Sequence, residues 1–445
     1  MKEAFLKRMQ EYLGEEYPAY LESLKQPRFR GLRVNETRCS TDRFLSIAPW
    51  ECRPSAICPQ SFYIHEEHLG NHPYHLSGVF YLQEPSASSA VEVLDVQRGD
   101  WVLDLCAAPG GKSTQIAAKL AHTGFLLSNE IEPKRARVLL SNMERLGFSE
   151  YAITNERPQR IADTLKGCFD KVLVDAPCSG EGMFKKHEQA MEDWSEENVR
   201  RCALRQQEIL RSAYETLRPG GILVYSTCTY AKEENEETVA AFLATYSDME
   251  LLDCGVSFGR SGFVQPGIDA AKVRRIFPMD GGEGHFIARM RKKGDAPRVR
   301  MRTLPSMKAD AYAQAFLKDQ LQEPDAYLYT QGTQVYARTQ PFVLLEPLKV
   351  VRQGILCGES VKKRFEPHQH FYMASVHQSH LLHVHDMDQR ECEQFLKGHP
   401  IASSQRGFLC MRYQGFPLGF GKGDGTWVKN RYPKGMRIGE QVRLC

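Results

Sequence analysis

Two cysteines stand where chemistry is easiest to place. Cys178 lies in Leu173-Val-Asp-Ala-Pro-Cys-Ser-Gly180 and Cys228 in Leu223-Val-Tyr-Ser-Thr-Cys-Thr-Tyr230. Each follows a short apolar run that reads as a buried parallel strand, so each sits where a strand gives way to a loop. In open α/β sheets that carboxyl edge is where ligands bind. Two thiols delivered there point to covalent chemistry, because a thiolate is the strongest ordinary protein nucleophile. A free cysteine taken singly is more often a small buried apolar residue. The matched placement of the pair, together with a third strand, favours the chemical reading.

That third strand opens Trp101-Val-Leu-Asp-Leu-Cys-Ala-Ala-Pro-Gly-Gly-Lys-Ser113. Ala107, Ala108, Gly110 and Gly111 would let backbone N–H groups approach a ligand. Ser113 or Thr114 is expected to cap a helix running through Ile116, Ala117 and Leu120. A second strand, Gly124-Phe-Leu-Leu-Ser-Asn129, then delivers Glu130, the usual kind of acceptor for two ribose hydroxyls. Glycine-rich loop plus carboxylate indicates an adenosine-type cofactor. A competing reading comes from Cys106 to Ser113, which nearly spells the phosphate-binding loop G-x-x-x-x-G-K-[ST], with Val172-Leu-Val-Asp175 as its acidic strand. Cys106 stands where that loop needs its first glycine, and a triphosphatase leaves Cys178 and Cys228 without a use.

The elements that must position these residues follow from the pattern. At 445 residues the chain has room for two or three domains. Residues 1–90 form an N-terminal region, beginning with the amphipathic stretch Met1 to Gln10. Residues 91–293 alternate strand and helix signals, as a doubly wound sheet does. Within them Ser195 opens a helix whose inner face includes Leu210, Ala213, Tyr214 and Leu217. Arg218-Pro-Gly-Gly221 then breaks the chain before the strand carrying Cys228. Arg289 to Arg302 reads as a basic stretch running into a linker at 294–310. Residues 311–445 end in a small β-rich domain from about 380.

Composition narrows the class. The longest apolar runs are too short to span a bilayer, the N-terminus has no secretory apolar segment, and cytoplasmic residence is expected. Thirteen cysteines without C-x-x-C pairs read as reduced thiols. Net charge is +3, yet Arg406 to Arg443 holds eight basic residues against Asp424 and Glu440. The tail is therefore strongly basic and the remainder slightly acidic. Phe416, Phe420, Trp427 and Tyr432 interleave with those charges, a mixture suited to RNA phosphates and unstacked bases. A small β domain with core aromatics and a solvated basic face gives the same pattern. The histidine groups His65 to His75 and His368 to His385 lack companions that would complete a zinc site, so surface or packing roles and no metal are expected.

At this point the residues resemble a known family. Asp104-Leu-Cys-Ala-Ala-Pro-Gly-Gly-Lys112, Asp175-Ala-Pro-Cys-Ser-Gly-Glu-Gly182 and Tyr225-Ser-Thr-Cys-Thr229 look like the three signature motifs of the Sun-type RNA (cytosine-5) methyltransferases. The resemblance extends to Gly31-Leu-Arg-Val-Asn35, Gln83-Glu-Pro-Ser-Ala87 and Gly282-Glu-Gly-His-Phe-Ile-Ala288. The tail, Gly415 to Gly421 with Lys429 to Gly435, resembles the PUA-like end of the bacterial RsmF-type branch, which methylates small-subunit ribosomal RNA.

The resemblance implies a Rossmann-like α/β methyltransferase core, with residues 1–90 as an N-terminal extension of RNA-binding or capping role and a C-terminal PUA-like β-rich RNA-binding domain. It implies Cys228 as the nucleophile on cytosine carbon 6, Cys178 as the group aiding product release, and Asp175 on the cytosine N3/N4 edge. S-adenosylmethionine would lie against Cys106, Ala107, Ala108, Pro109, Gly110, Gly111 and Lys112, with Glu130 on the ribose and Arg135 and Asp175 near the cofactor. Where the family usually places an aspartate after the third strand, this chain reads Thr154-Asn-Glu-Arg157, and Asn155 could take over its contact to the adenine amino group. The implied partner is RNA, 16S rRNA or the small ribosomal subunit, with no membrane and no metal. Transfer RNA as substrate and a non-enzymatic ribosome-assembly factor stand as alternatives, and oligomeric state is left open. An adenine N-methyltransferase would need Asp/Asn-Pro-Pro-aromatic where this chain has Asp175-Ala-Pro-Cys178.

Overall fold

The computed structural model describes residues 2–186, 188–323 and 327–443. The chain opens on helix α1 (Glu3–Leu13), whose Phe5, Met9 and Leu13 recur every fourth residue and are all buried. That stripe faces away from its own domain. It packs on Phe184, Trp194, Tyr230 and Phe277, so α1 braces the loops that follow the two cysteine-bearing strands. Four short antiparallel strands come next, with Gly31–Val34 paired on one side to Ser61–Tyr63 and on the other to Phe80–Leu82.

The central sheet is built from β1 (Trp101–Asp104), β2 (Phe125–Asn129), β3 (Tyr151–Thr154), β4 (Phe169–Asp175), β5 (Leu217–Thr227), β6 (Met249–Leu252), β7 (Arg274–Ile276), β8 (His285–Lys292) and β9 (Val350–Gln353). Its order is β6-β8-β5-β4-β1-β2-β3-β9, with β7 on β8. The strands β3, β2, β1, β4 and β5 are mutually parallel. Their interior residues are apolar on both faces, as a sheet covered by helices on both sides requires. The expected Rossmann-like core is therefore present.

Several local expectations are corrected. Neither Ser113 nor Thr114 caps the helix after β1. That helix, α2 (Gly111–Leu120), begins at Gly110, whose φ of 112° a side chain would strain, while Ser113 donates to Asp104 at 2.6 Å. Ser195 does cap α3 (Glu196–Thr216), accepting from the Asn198 N–H. Leu217, however, has already entered β5. Arg218 to Gly221 does not interrupt that strand; it forms an irregularity between the pairs Phe169–Leu217 and Lys171–Ile222. Arg289 to Lys292 belongs to β8 and not to a basic linker. Beyond it the chain stays tied to the domain, with the Val299 N–H on the Gly167 carbonyl and Arg298 paired with Asp170 at 3.1 Å.

The C-terminal part contributes β9 to the edge of the central sheet, antiparallel to β3, which the alternation pattern did not foretell. It also forms a four-stranded antiparallel sheet, two of whose strands precede β9, and a five-stranded sheet whose long strands are β10 (Arg406–Tyr413) and β11 (Phe416–Asp424). Of the four aromatics interleaved with the basic tail, Phe416, Phe420 and Tyr432 are core residues, and Trp427 alone is half exposed at 50%. Of the histidines, His72 meets Trp50 edge-on and buried His370 Nε2 lies 3.1 Å from the Phe148 carbonyl, whereas His65 and His68 are exposed. Among the described residues no helix is long and apolar enough to cross a membrane.

Candidate active site

Parallel pairing of Asp175 with Ser226 sets the ends of β4 and β5 side by side. The loops that leave them are then stitched together. Ser179 Oγ and Thr229 Oγ1 are 2.8 Å apart, the Gly182 N–H donates to the Cys228 carbonyl, and the Tyr230 N–H donates to Glu181. This brings the Cys178 and Cys228 sulfurs within 3.3 Å. The neighbouring Cys228 sulfur and burial push the Cys178 thiol well up, because two adjacent thiolates would repel in a low-dielectric site.

A cavity of about 750 Å³ opens over these strand ends. Its wall includes Cys106, Ala107, Ala108, Pro109, Gly111, Lys112, Arg135, Asp175 and Cys228. Three of the expected residues, Gly110, Glu130 and Cys178, are not part of that wall. Glu130 is buried at the end of β2, where it accepts from the Glu132 N–H and faces Arg135 at 3.5 Å. Arg135 also donates to the Ala108 carbonyl at 2.7 Å, so it clamps the loop. Lys112, which a triphosphatase would aim at phosphate, instead pairs with Asp175 at 2.8 Å. Burial works to lower the Lys112 pKa, but Asp175 outweighs it and the net shift is upward. The other Asp175 oxygen accepts from Ser226. Asn155 has its amide nitrogen on the Glu130 and Ile131 carbonyls and its oxygen on Lys349, so that oxygen is already engaged.

Residues 91–291 match the family described as 16S rRNA methyltransferase RsmB/F, and 1–85, 315–374 and 382–438 match the N-terminal, first C-terminal and PUA domains of RsmF. The ribosomal RNA small subunit methyltransferase F of Vibrio vulnificus is 33% identical over 98% of this chain and 96% of its own length. This chain belongs to the RsmF family of 16S rRNA methyltransferases. The corresponding protein of Erwinia tasmaniensis is 32% identical over 97% of this chain and 95% of its own. A methyltransferase homologue from Pyrococcus horikoshii, known by crystal structure, is 29% identical with a TM-score of 0.59, covering 66% of this chain and 95% of that one. NSun6 from the same organism, at 22% identity over 66% of this chain and 99% of its own, has the same fold with a TM-score of 0.59. Members of the RsmF family are S-adenosylmethionine-dependent RNA methyltransferases, and so is this chain.

The RsmF-family cavity suits that cofactor. Asp104 lines it, is fully buried, and leaves Oδ1 without a hydrogen-bond partner among the described residues. Burial lifts its pKa to about 7, and an ammonium or sulfonium opposite would restore the charge. Sequence reasoning passed over three groups that line the cavity or hold its loops from behind. Arg33, buried under the loop, donates to Gln83, to the Gly111 carbonyl, to Gln115 and to Thr114 at 2.8–3.0 Å. Glu234 accepts from the Ser179 N–H and Gln206, and burial pushes it up to about 7. His285 lines the cavity and contacts Ser86. Arg33, Ser86 and His285 lie inside three segments whose family resemblance was visible, but the Arg33 bond to Gly111 spans 78 residues and the Ser86–His285 contact 199.

Proposed function

We propose that this chain methylates carbon 5 of cytosine in RNA, with small-subunit 16S rRNA as the substrate, through a covalent adduct between Cys228 and carbon 6. Carbon 5 of cytosine is a poor nucleophile. Addition of the Cys228 sulfur to carbon 6 makes the ring enamine-like, and carbon 5 can then accept a methyl group. S-adenosylmethionine supplies that group when bound along Cys106 to Lys112, with Glu130, Arg135 and Asp175 completing the cofactor site. Loss of the carbon-5 proton to a base and breakage of the sulfur–carbon 6 bond return the thiolate. The observation that carries this reading is the 3.3 Å sulfur pair at adjoining strand ends, only one of which, Cys228, lines the cavity. Cys178 keeps its proton beside that sulfur, so it can protect or reprotonate the leaving thiolate. Asp175, held by Lys112 and Ser226, accepts from the exocyclic amino group of the base.

In this reading residues 1–90 cap the site, 91–293 carry the chemistry, and the region from about 380 grips RNA, after a linker at 294–310. Ribosomal RNA as substrate places the protein in the cytoplasm. The test is a denaturing gel of Cys178→Ala protein with S-adenosylmethionine and labelled 16S rRNA transcript. A covalent protein–RNA band that disappears when Cys228 is also replaced is expected. A band that forms only in Cys228→Ala protein would reverse the two roles.

A further inference from the structure

His285 is the first residue of β8. The pair Phe286–Thr227 in the adjoining strands sets it beside Cys228, one step further along. It shares the cavity wall with Lys112, Asp175 and Cys228.

The hydrogen bonds behind the ring fix its tautomer. Glu84 accepts from the Ser86 N–H at 2.7 Å, the Ala87 N–H at 3.2 Å and the Ser86 hydroxyl at 2.6 Å. Where Glu84 is ionised, above the value of about 7 to which burial raises its pKa, the single Ser86 hydroxyl proton is committed to Glu84. Its lone pairs remain for the Glu283 N–H at 3.4 Å and for His285 Nδ1 at 3.0 Å. Nδ1 must then carry the ring proton, and Nε2 is left with a bare lone pair. Among the described residues no hydrogen bond engages Nε2. Burial, reinforced by Lys112, holds the imidazole pKa down to about 3. A ring so reluctant to take a proton is a poor base for the carbon-5 hydrogen but a good fixed acceptor.

An exocyclic amino group has two N–H donors, and Asp175 uses one of them in the reading above. Resting on that reading, we propose that His285 Nε2 accepts the second N–H of the target cytosine and so helps to exclude uracil. Uracil carries a carbonyl at that position, which would face two acceptors with no proton between them. A site that leaves polar groups unpaired against the wrong substrate discriminates strongly.

The experiment uses full-length Cys178→Ala protein, alone and combined with His285→Leu or His285→Gln. Two ligated small-subunit RNAs carry, at the cytosine mapped by the covalent band, either cytosine or 2-pyrimidinone, which lacks the amino group. His285→Leu should slow adduct formation about tenfold with cytosine but by about twofold or less with 2-pyrimidinone. His285→Gln, which keeps an acceptor oxygen, should stay within about threefold on cytosine. Equal slowing on both RNAs would overturn the inference while leaving the cytosine-5 reading intact. No adduct from the Cys178→Ala parent on either RNA would remove both.

Discussion

Gly182 sits where a methyl group has no room. A β-carbon there would come within 2.9 Å of the Glu283 and Gly284 carbonyl oxygens and 3.1 Å of the Cys228 carbonyl oxygen, all of them backbone atoms that cannot swing aside. Gly182→Ala should cost about 1–3 kcal/mol in urea unfolding and slow adduct formation, because the crowded backbone includes that of Cys228. Glu234 carries a different prediction. Burial raises its pKa from 4.5 to about 7, so between those values the folded chain holds a proton that the unfolded chain has released. Its contribution to stability therefore falls as pH rises from 4.5 to about 7 and is level above. Glu234→Gln keeps an oxygen for Ser179 and should lessen that fall. Urea midpoints at pH 5 and pH 8 that differ as much as in the parent would show that Glu234 titrates normally.

Helix α1 acts as a brace at the scale of elements. Its Arg8 pairs with Glu181, whose side chain is fully buried and also takes the Trp194 indole N–H at 2.8 Å and the Tyr230 N–H at 2.9 Å. One carboxylate thus ties the N-terminal helix to the loops carrying both cysteines. Arg8→Met would leave that charge buried without its cation, a loss of about 3–5 kcal/mol. Thermal unfolding should shift down accordingly, and the adduct rate should fall below that of a surface control such as Lys7→Met. The N-terminal sheet plays a parallel part on the other side, where Arg33 reaches across to the carbonyl of Gly111 and holds the cofactor loop.

The molecule as a whole closes its central sheet with a strand from the far end of the chain. β9 pairs with β3, and next to it Arg338 meets Glu150 at 2.6 Å with both side chains almost wholly buried. The Thr339 N–H and hydroxyl add two bonds to the same carboxylate at 2.9 Å. The catalytic sheet is therefore not finished at residue 293. Arg338→Ala should destabilise the protein by about 3–5 kcal/mol and speed amide hydrogen exchange in Tyr151 to Thr154. Unchanged exchange there would mean that β9 is an ornament of the sheet edge. The basic tail belongs to this scale too: with Phe416, Phe420 and Tyr432 in the core, Trp427 is the aromatic of the four left for a stacked base.

What the sequence by itself determined was local or motif-borne. The parallel strands were legible because their apolar runs are short and contiguous, and Ser195 was legible as a cap because capping acts within three residues. The cysteines at strand ends and the glycine loop followed from the same short patterns, and the family motifs linked them. What only the tertiary structure decided involved partners far apart in the chain. The Ser86–His285 contact spans 199 residues and Glu150–Arg338 spans 188. The bulge in β5 and the burial of three tail aromatics depend likewise on neighbours that no local window contains. A backbone pattern reports which hydrogen bonds a segment can make with itself, whereas a buried side chain answers to whatever the fold brings against it.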